Sequence, residues 1–322
     1  MTRLIAARLG QSLVVVLVMS FVIYGLIGLM PGDPIDLMIS ADPNVTAADA
    51  ARLKALYGLD RPIWARYLAW LTAAADGDLG YSRLFSRPVL EVLGPRLANT
   101  ALLMSLALGL ALLIAVPAGV AAARRPGSLL DRSINLVCFA GVSVPPFWFA
   151  LLLLLLFAVV LGWLPAGGVE TIGDGGMLDR ARHLILPVIT LSVASVAAYT
   201  RHVRGALIEV LREDYVRTAR AKGLAERPVV WRHGLRNALI PVVTVLALDF
   251  GALFSGALIT ETMFSYQGMG KTIYDAIMGN DYNLALVGLL LATALTLAAN
   301  FAADLAYGWL DPRIRYRGGV ER

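Results

Sequence analysis

Six long apolar runs divide this chain, separated by more polar stretches. They cover about Leu9–Met30, Thr100–Ala123, Ile134–Leu161, Leu184–Thr200, Leu239–Thr260 and Leu284–Trp309. Each reaches or approaches the roughly 20 residues that cross about 30 Å of hydrocarbon. Periodicity adds little, because a span is apolar on every side. The pattern predicts an all-α, polytopic membrane bundle of six transmembrane helices. The fourth run is the shortest and contains Pro187. The first exceeds the usual 7–15 residues of a signal-peptide core. Pro31-Gly32-Asp33-Pro34 follows it instead of a small-residue cleavage site, so it reads as a retained span.

Two polar stretches are long enough to carry structure. In residues 31–98, Thr46 with Asp49 predicts a helix start and Gly58 its end. Pro62 predicts a second helix running to about Ala75. That helix carries Ile63, Trp64, Tyr67, Trp70 and Leu71. Such aromatic density suits a helix lying in the membrane interface or one packed on the ends of the spans. In residues 201–238, a helix is expected over Ala206–Ala221, with Glu209, Arg212, Glu213 and Arg220 solvated. Gly223 permits a left-handed residue that ends it, and Pro228 is placed to start another. The result is a basic helix–turn–helix beneath the membrane. It is either an ordinary basic loop or an element on which a soluble partner pushes.

Composition agrees with the pattern. Hydrophobic residues are 58% of 322 and mean hydropathy is +0.70, against about 45–50% apolar in soluble domains. A single cysteine, Cys138, excludes an intrachain disulfide, and three histidines leave little for a metal cage. The net charge of +5 matters less than its distribution. With the N-terminus inside, the inner segments hold 18 of the 28 Lys and Arg. By the positive-inside rule both termini and 201–238 are cytoplasmic and 31–98 face outward.

The residues of the second polar stretch carry a resemblance. Asp214-Tyr215-Val216-Arg217-Thr218-Ala219-Arg220-Ala221-Lys222-Gly223-Leu224 and Arg232-His233-Gly234-Leu235-Arg236-Asn237-Ala238-Leu239-Ile240-Pro241 resemble the coupling-loop signature of ABC importer permeases. The variant is that of the dipeptide/oligopeptide/nickel family, and of its first (B-type) permease subunit. Matches elsewhere run in order: PGDP at 31–34, YGLDRP at 57–62, GDLGYS at 77–82 and VPPFW at 144–148. ETMF at 261–264 with Gly268 and Gly270, DY at 281–282 and DPRIR at 311–315 complete them. Arg217-Thr218-Ala219 stands where the wider superfamily has Glu-Ala-Ala, a departure usual in the peptide branch. Ala225 replaces a small polar cap of the second helix, and Gln267 stands where many members have proline.

The resemblance implies a single permease domain over 1–322 of the type I importer fold, with 31–98 an external helical insertion. It also implies a bacterial inner-membrane location and no enzymatic activity in this chain. Partners would be a second homologous permease, two ATPase subunits holding ATP and magnesium, and an extracytoplasmic substrate-binding protein. No nucleic acid partner is implied. Contact with the ATPase would fall on Asp214, Tyr215, Thr218, Ala219, Ala221, Lys222, Gly223 and Leu224. Peptides would be the cargo, with chelated nickel or another small solute as the alternative. A secondary transporter would often show repeats and broken helices in both halves, and no such pattern is evident.

Other candidates are weaker. Gly268-Met269-Gly270-Lys271-Thr272 imitates the end of a phosphate-binding loop, but Ser265 stands where the first glycine is needed. Gly141-Val142-Ser143 with His183 or His202 imitates an intramembrane protease. Pro145-Pro146 follow one residue later, so a buried Ser143 bonding a carbonyl in a proline-kinked helix is expected, with a place on the translocation path as the other reading. A carboxylate at mid-span faces a cavity or a partner, so Asp249 is either a pathway residue or a pin between helices. Asp304, near the inner end of the sixth run, reads as an anchor.

Overall fold

The computed structural model describes residues 2–29, 61–248 and 250–310. Asp249, PGDP, most of YGLDRP, the helix expected after Thr46 and DPRIR lie outside the described residues, and so does the Asp304 side chain. Among the described residues the elements are helical, apart from one ribbon of two short strands. The helices fall into two compact units, residues 1–98 with 271–297 and residues 99–270 with 298–322.

In the first unit, α1 (Thr2–Gly28) receives α2 (Ile63–Ala75). Pro62 caps the start of α2, as its fixed φ favours. Buried Tyr67 shares a 2.7 Å hydrogen bond with Ser20, and its ring meets Phe21 and Tyr24 edge-on at 5.2 and 5.7 Å. Trp70 stacks on Tyr67, whereas Trp64 stays exposed. Tyr67 and Trp70 thus follow the packing alternative.

A ribbon of β1 (Tyr81–Ser82) and β2 (Arg87–Pro88) follows, pairing Tyr81 with Pro88 and Ser82 with Arg87. Asp281, almost fully buried, organises it. One carboxylate oxygen accepts from the Ser82 hydroxyl at 2.5 Å and the Leu84 N–H at 3.0 Å. The other accepts from the Leu284 N–H at 3.2 Å, capping the start of the last helix. Gly80, at φ +82, leaves no room for a side chain beside Asn283. The GDLGYS and DY stretches, far apart in sequence, are therefore two halves of one clasp.

The second unit begins within α3 (Val89–Arg124) and continues through α4 (Leu129–Ser143), α5 (Pro146–Leu153) and α6 (Met177–Val210). The third apolar run is not one straight span. It bends by 98° between α4 and α5, and ends in a π-helical stretch, Leu154–Val160. Val144 precedes a proline, so it is pushed out of the helical region, to φ −81 and ψ 122. Pro145 has no N–H with which to continue α4, and Pro146 starts α5 at the position where proline is tolerated. The Ser143 hydroxyl donates to the Phe139 carbonyl at 2.8 Å, as expected, but the residue is exposed rather than buried. The fourth run is likewise longer than its apolar residues implied: α6 is 34 residues with Pro187 buried inside it.

Small residues let these helices approach. A side chain at Gly119 would meet Val203 at 2.7 Å, and one at Gly141 would meet Ala197 at 3.3 Å. One apolar core joins Leu103, Ala107, Ala150, Leu186, Ala257 and Phe264. A second, toward the end of α6, joins Val120, Val203, Leu207, Val230, Leu235 and Val242.

Beyond α6 come α7 (Asp214–Ala221), a helical turn at Glu226–Pro228, a π-helical stretch at Val229–Gly234 and α8 (Leu235–Leu248). Then follow α9 (Phe250–Met263), α10 (Met269–Met278) and α11 (Tyr282–Leu310). Glu261, fully buried, explains ETMF and the two glycines after it. Thr100 donates to its carboxylate and accepts from the Met269 N–H at 2.8 Å. A Cβ at Gly268 would overlap that carboxylate, and one at Gly270 would meet Leu258 at 2.7 Å. These glycines seat a carboxylate, not a phosphate. Burial, and then the Glu261 charge, push the Tyr266 hydroxyl up to about 12.

Among the described residues four helices are long and apolar enough to cross a membrane, or five if the bent pair counts as one span. The fifth expected span falls on α8 and α9, on either side of residue 249.

Candidate coupling site

The stretch after α6 builds a small lever. The helix expected over Ala206–Ala221 is in fact two. The α6 helix ends at Val210, a turn at Leu211–Glu213 follows, and α7 begins at Asp214. At the far end of α7, Gly223 adopts φ +78. Its N–H donates to the Arg220 carbonyl at 2.9 Å, and the Leu224 N–H donates to the Ala219 carbonyl at 3.4 Å. These two bonds form a Schellman stop, which needs a left-handed residue at the glycine. The next helix starts at Glu226, two residues before the expected Pro228, with Ala225 at its cap. As an alanine, Ala225 offers no side-chain oxygen to that cap.

The inner face of α7 is apolar. Val216 and Ala219, three residues apart, close on Val229 and Leu211. Ala219 was expected among the contact residues; it is buried, so it supports the lever from beneath. Gly234 lets the π-helical stretch approach α6, since a Cβ there would lie 3.1 Å from Leu207 and 3.2 Å from Leu211.

Asp214, Tyr215, Thr218, Ala221, Lys222, Gly223 and Leu224 are exposed together on the outer side. Leu224 is an apolar side chain 43% exposed at the tip of the turn. Thr218 bonds back to the Asp214 carbonyl at 2.9 Å.

Three polar braces escaped sequence reasoning. The Arg220 guanidinium spans the Gly223 turn to Glu226, with Nη2 to Oε1 at 2.8 Å and Nε to Oε1 at 3.1 Å. Opposite charges six residues apart around a turn glycine were the available signal. Asn237 donates to the Tyr215 hydroxyl at 2.8 Å, tying α7 to α8. Nothing local marks that pair. Finally, Arg204 on α6 grips Asp131 at the start of α4 bidentately, at 2.6 and 2.8 Å. Asp131 also accepts from the Gly127 N–H and the Asn135 amide, both at 2.8 Å.

The candidate pathway residue Ser143 lies at the α4–α5 bend, apart in sequence from this lever. Asp249 is outside the described residues. Among the described residues no group of three or more His, Cys, Asp or Glu could hold a metal ion.

Comparison with known proteins places this architecture. Residues 115–316 match the family model "Binding-protein-dependent transport system inner membrane component", and residues 1–107 match the corresponding N-terminal model. The oligopeptide transport system permease protein AppB of Bacillus subtilis is 39% identical over 318 residues, covering 98% of this chain and 100% of that protein. The di/tripeptide transport system permease protein DppB of Pseudomonas aeruginosa is 40% identical over 339 residues, with the same coverage. The dipeptide transport system permease protein DppB of Escherichia coli K12 is 35% identical, again covering 98% and 100%. A chain of the inward-facing methionine ABC transporter MetNI superposes with a TM-score of 0.57 at 18% identity. It covers 69% of this chain and 97% of its own, a likeness of fold.

Proposed function

This chain belongs to the inner-membrane components of binding-protein-dependent transport systems, and on that premise we propose that it is one of two permease subunits of an ATP-driven importer of di- and oligopeptides. The peptide cargo is supported by the names of the relatives that match along nearly the whole chain. ATP and magnesium belong to two partner ATPases, and a separate protein delivers substrate at the outer face. Both termini and residues 201–238 face the cytoplasm.

The observation that carries the coupling role is the outer side of α7. A short helix ends in a sharp glycine stop and holds out an exposed leucine, Leu224. In water such a side chain gains by entering an apolar groove on a partner. Force on α7 passes through Val216 and Ala219 into Val229 and Leu211, and from Leu211 to Gly234 and α6. Close-packed apolar contacts are stiff, so they transmit displacement instead of absorbing it. Arg220 and Glu226 hold the turn angle while that happens.

The test is uptake by the full complex in proteoliposomes. Labelled di- and tripeptides should accumulate only with ATP and the binding protein present, and nickel should not. Accumulation by this chain alone, or uptake of nickel in place of peptides, would overturn the proposal.

A further inference from the structure

The turn between α3 and α4 opens into a pocket of about 540 Å3, lined by Ala121, Arg124, Arg125, Ser128, Leu129 and Leu130. Both arginines are exposed, and among the described residues neither guanidinium has a hydrogen-bond, ion-pair or ring partner. The acid nearest in sequence, Asp131, is occupied by Arg204. Two positive charges therefore line the pocket without a side-chain partner among the described residues.

Two apolar lining residues are strongly exposed, Leu129 at 82% and Leu130 at 56%. Seven residues on, Leu136 and Val137 are 71% and 70% exposed. Seven residues are about two helical turns, so Leu129 shares a face with Leu136, and Leu130 with Val137. The leucines of the pocket are the first rungs of a stripe that continues along α4 into the membrane.

One kind of molecule matches both features: an anionic head beside two arginines and a long apolar tail along a membrane-facing stripe. A soluble peptide or a free anion would leave the stripe uncovered. A zwitterionic lipid would bring its own cation beside the second arginine. We propose that this pocket is a binding site for an anionic phospholipid, with Arg124 and Arg125 on the headgroup phosphate and the acyl chains along Leu129, Leu130, Leu136 and Val137. Guanidinium pairs recognise phosphate oxygens with fixed geometry, and basic clusters at membrane boundaries hold anionic headgroups. The site depends only on the turn lying at a membrane face, on whichever side that is.

The test uses the intact transporter complex, purified in mild detergent and stripped of lipid. Phosphatidylglycerol or phosphatidylcholine is added back, and bound lipid is counted by native mass spectrometry. The wild type should bind phosphatidylglycerol in preference to phosphatidylcholine. Arg124→Gln with Arg125→Gln should weaken phosphatidylglycerol about thirtyfold, at roughly fivefold for each basic residue, and leave phosphatidylcholine unchanged. Arg124→Lys with Arg125→Lys should bind between the wild type and the Gln variant, because charge is kept while the bidentate geometry is lost, and that intermediate result separates lost charge from lost folding. Arg132→Gln, exposed but outside the pocket, should behave as wild type. Undiminished phosphatidylglycerol in the Gln variant would overturn the proposal. So would an equal loss in Arg132→Gln, which would mean diffuse attraction, or displacement of the lipid by inorganic phosphate, which would mean a simple anion site.

Discussion

Replacing Gly223 tests the lever at its bend. The residue holds φ +78, and a Cβ built there meets no heavy atom within 4 Å. A substitution therefore creates no clash, and its whole cost is backbone strain. For an ordinary L-residue that cost is about 1–2 kcal/mol. Asparagine tolerates the left-handed region better, because its side chain bonds locally, and a β-branched residue tolerates it worse. At about 1.4 kcal/mol per factor of ten, Gly223→Ala lowers the bent loop against a straightened one by roughly 5- to 30-fold. Straightening would forfeit the bonds from the Gly223 and Leu224 N–H groups and part Arg220 from Glu226. The expected order of ATP-dependent uptake, at matched complex levels in proteoliposomes, is glycine, then asparagine, alanine and valine. Retention of the ATPases during gel filtration in detergent should follow the same order, while the helical circular dichroism stays unchanged. If Gly223→Val transports at the wild-type rate and holds its ATPases, the left-handed turn is not needed for coupling and the lever is wrong.

Further outcomes follow from the same geometry. Leu224→Glu should leave the melting temperature unchanged, since the side chain is already half in water, yet cut uptake and ATPase retention steeply; full uptake would remove Leu224 from the contact. A double-mutant cycle on Arg220 and Glu226 should give a coupling energy below about 1 kcal/mol in stability, because both side chains are partly exposed. The exchanged pair Arg220→Glu with Glu226→Arg should recover uptake that either single change loses. Arg204→Met should destabilise by about 3 kcal/mol, because it strands the buried Asp131 carboxylate. Asp131→Asn should cost less, since Arg204 is 27% exposed and can turn to water; thermal unfolding in detergent reads the order, and the reverse order would contradict it. Gly268→Ala should cost about 1–3 kcal/mol by forcing a methyl against the Glu261 carboxylate, seen as a lowered melting temperature.

The amino-acid sequence determined the class, the positions of the apolar runs, and the turn at Gly223. Those features are local: a run of apolar residues is a span because lipid offers its backbone no partners, and a glycine that can turn left-handed ends the helix before it. Local patterning also placed α2 from Pro62 to Ala75. It could not show that Tyr67 would bond Ser20, or that α6 would run 34 residues through a polar end. Tertiary structure alone decided the 98° bend, because Pro145-Pro146 breaks a helix without specifying the angle its halves take. It alone paired Ser82 with Asp281, Thr100 with Glu261, Arg204 with Asp131 and Tyr215 with Asn237. Each of these pairs joins residues between 22 and 199 positions apart, where no periodicity or cap rule reaches. Buried polar groups must find partners, but which partner each one finds depends on the packed helices that bring them within about 3 Å.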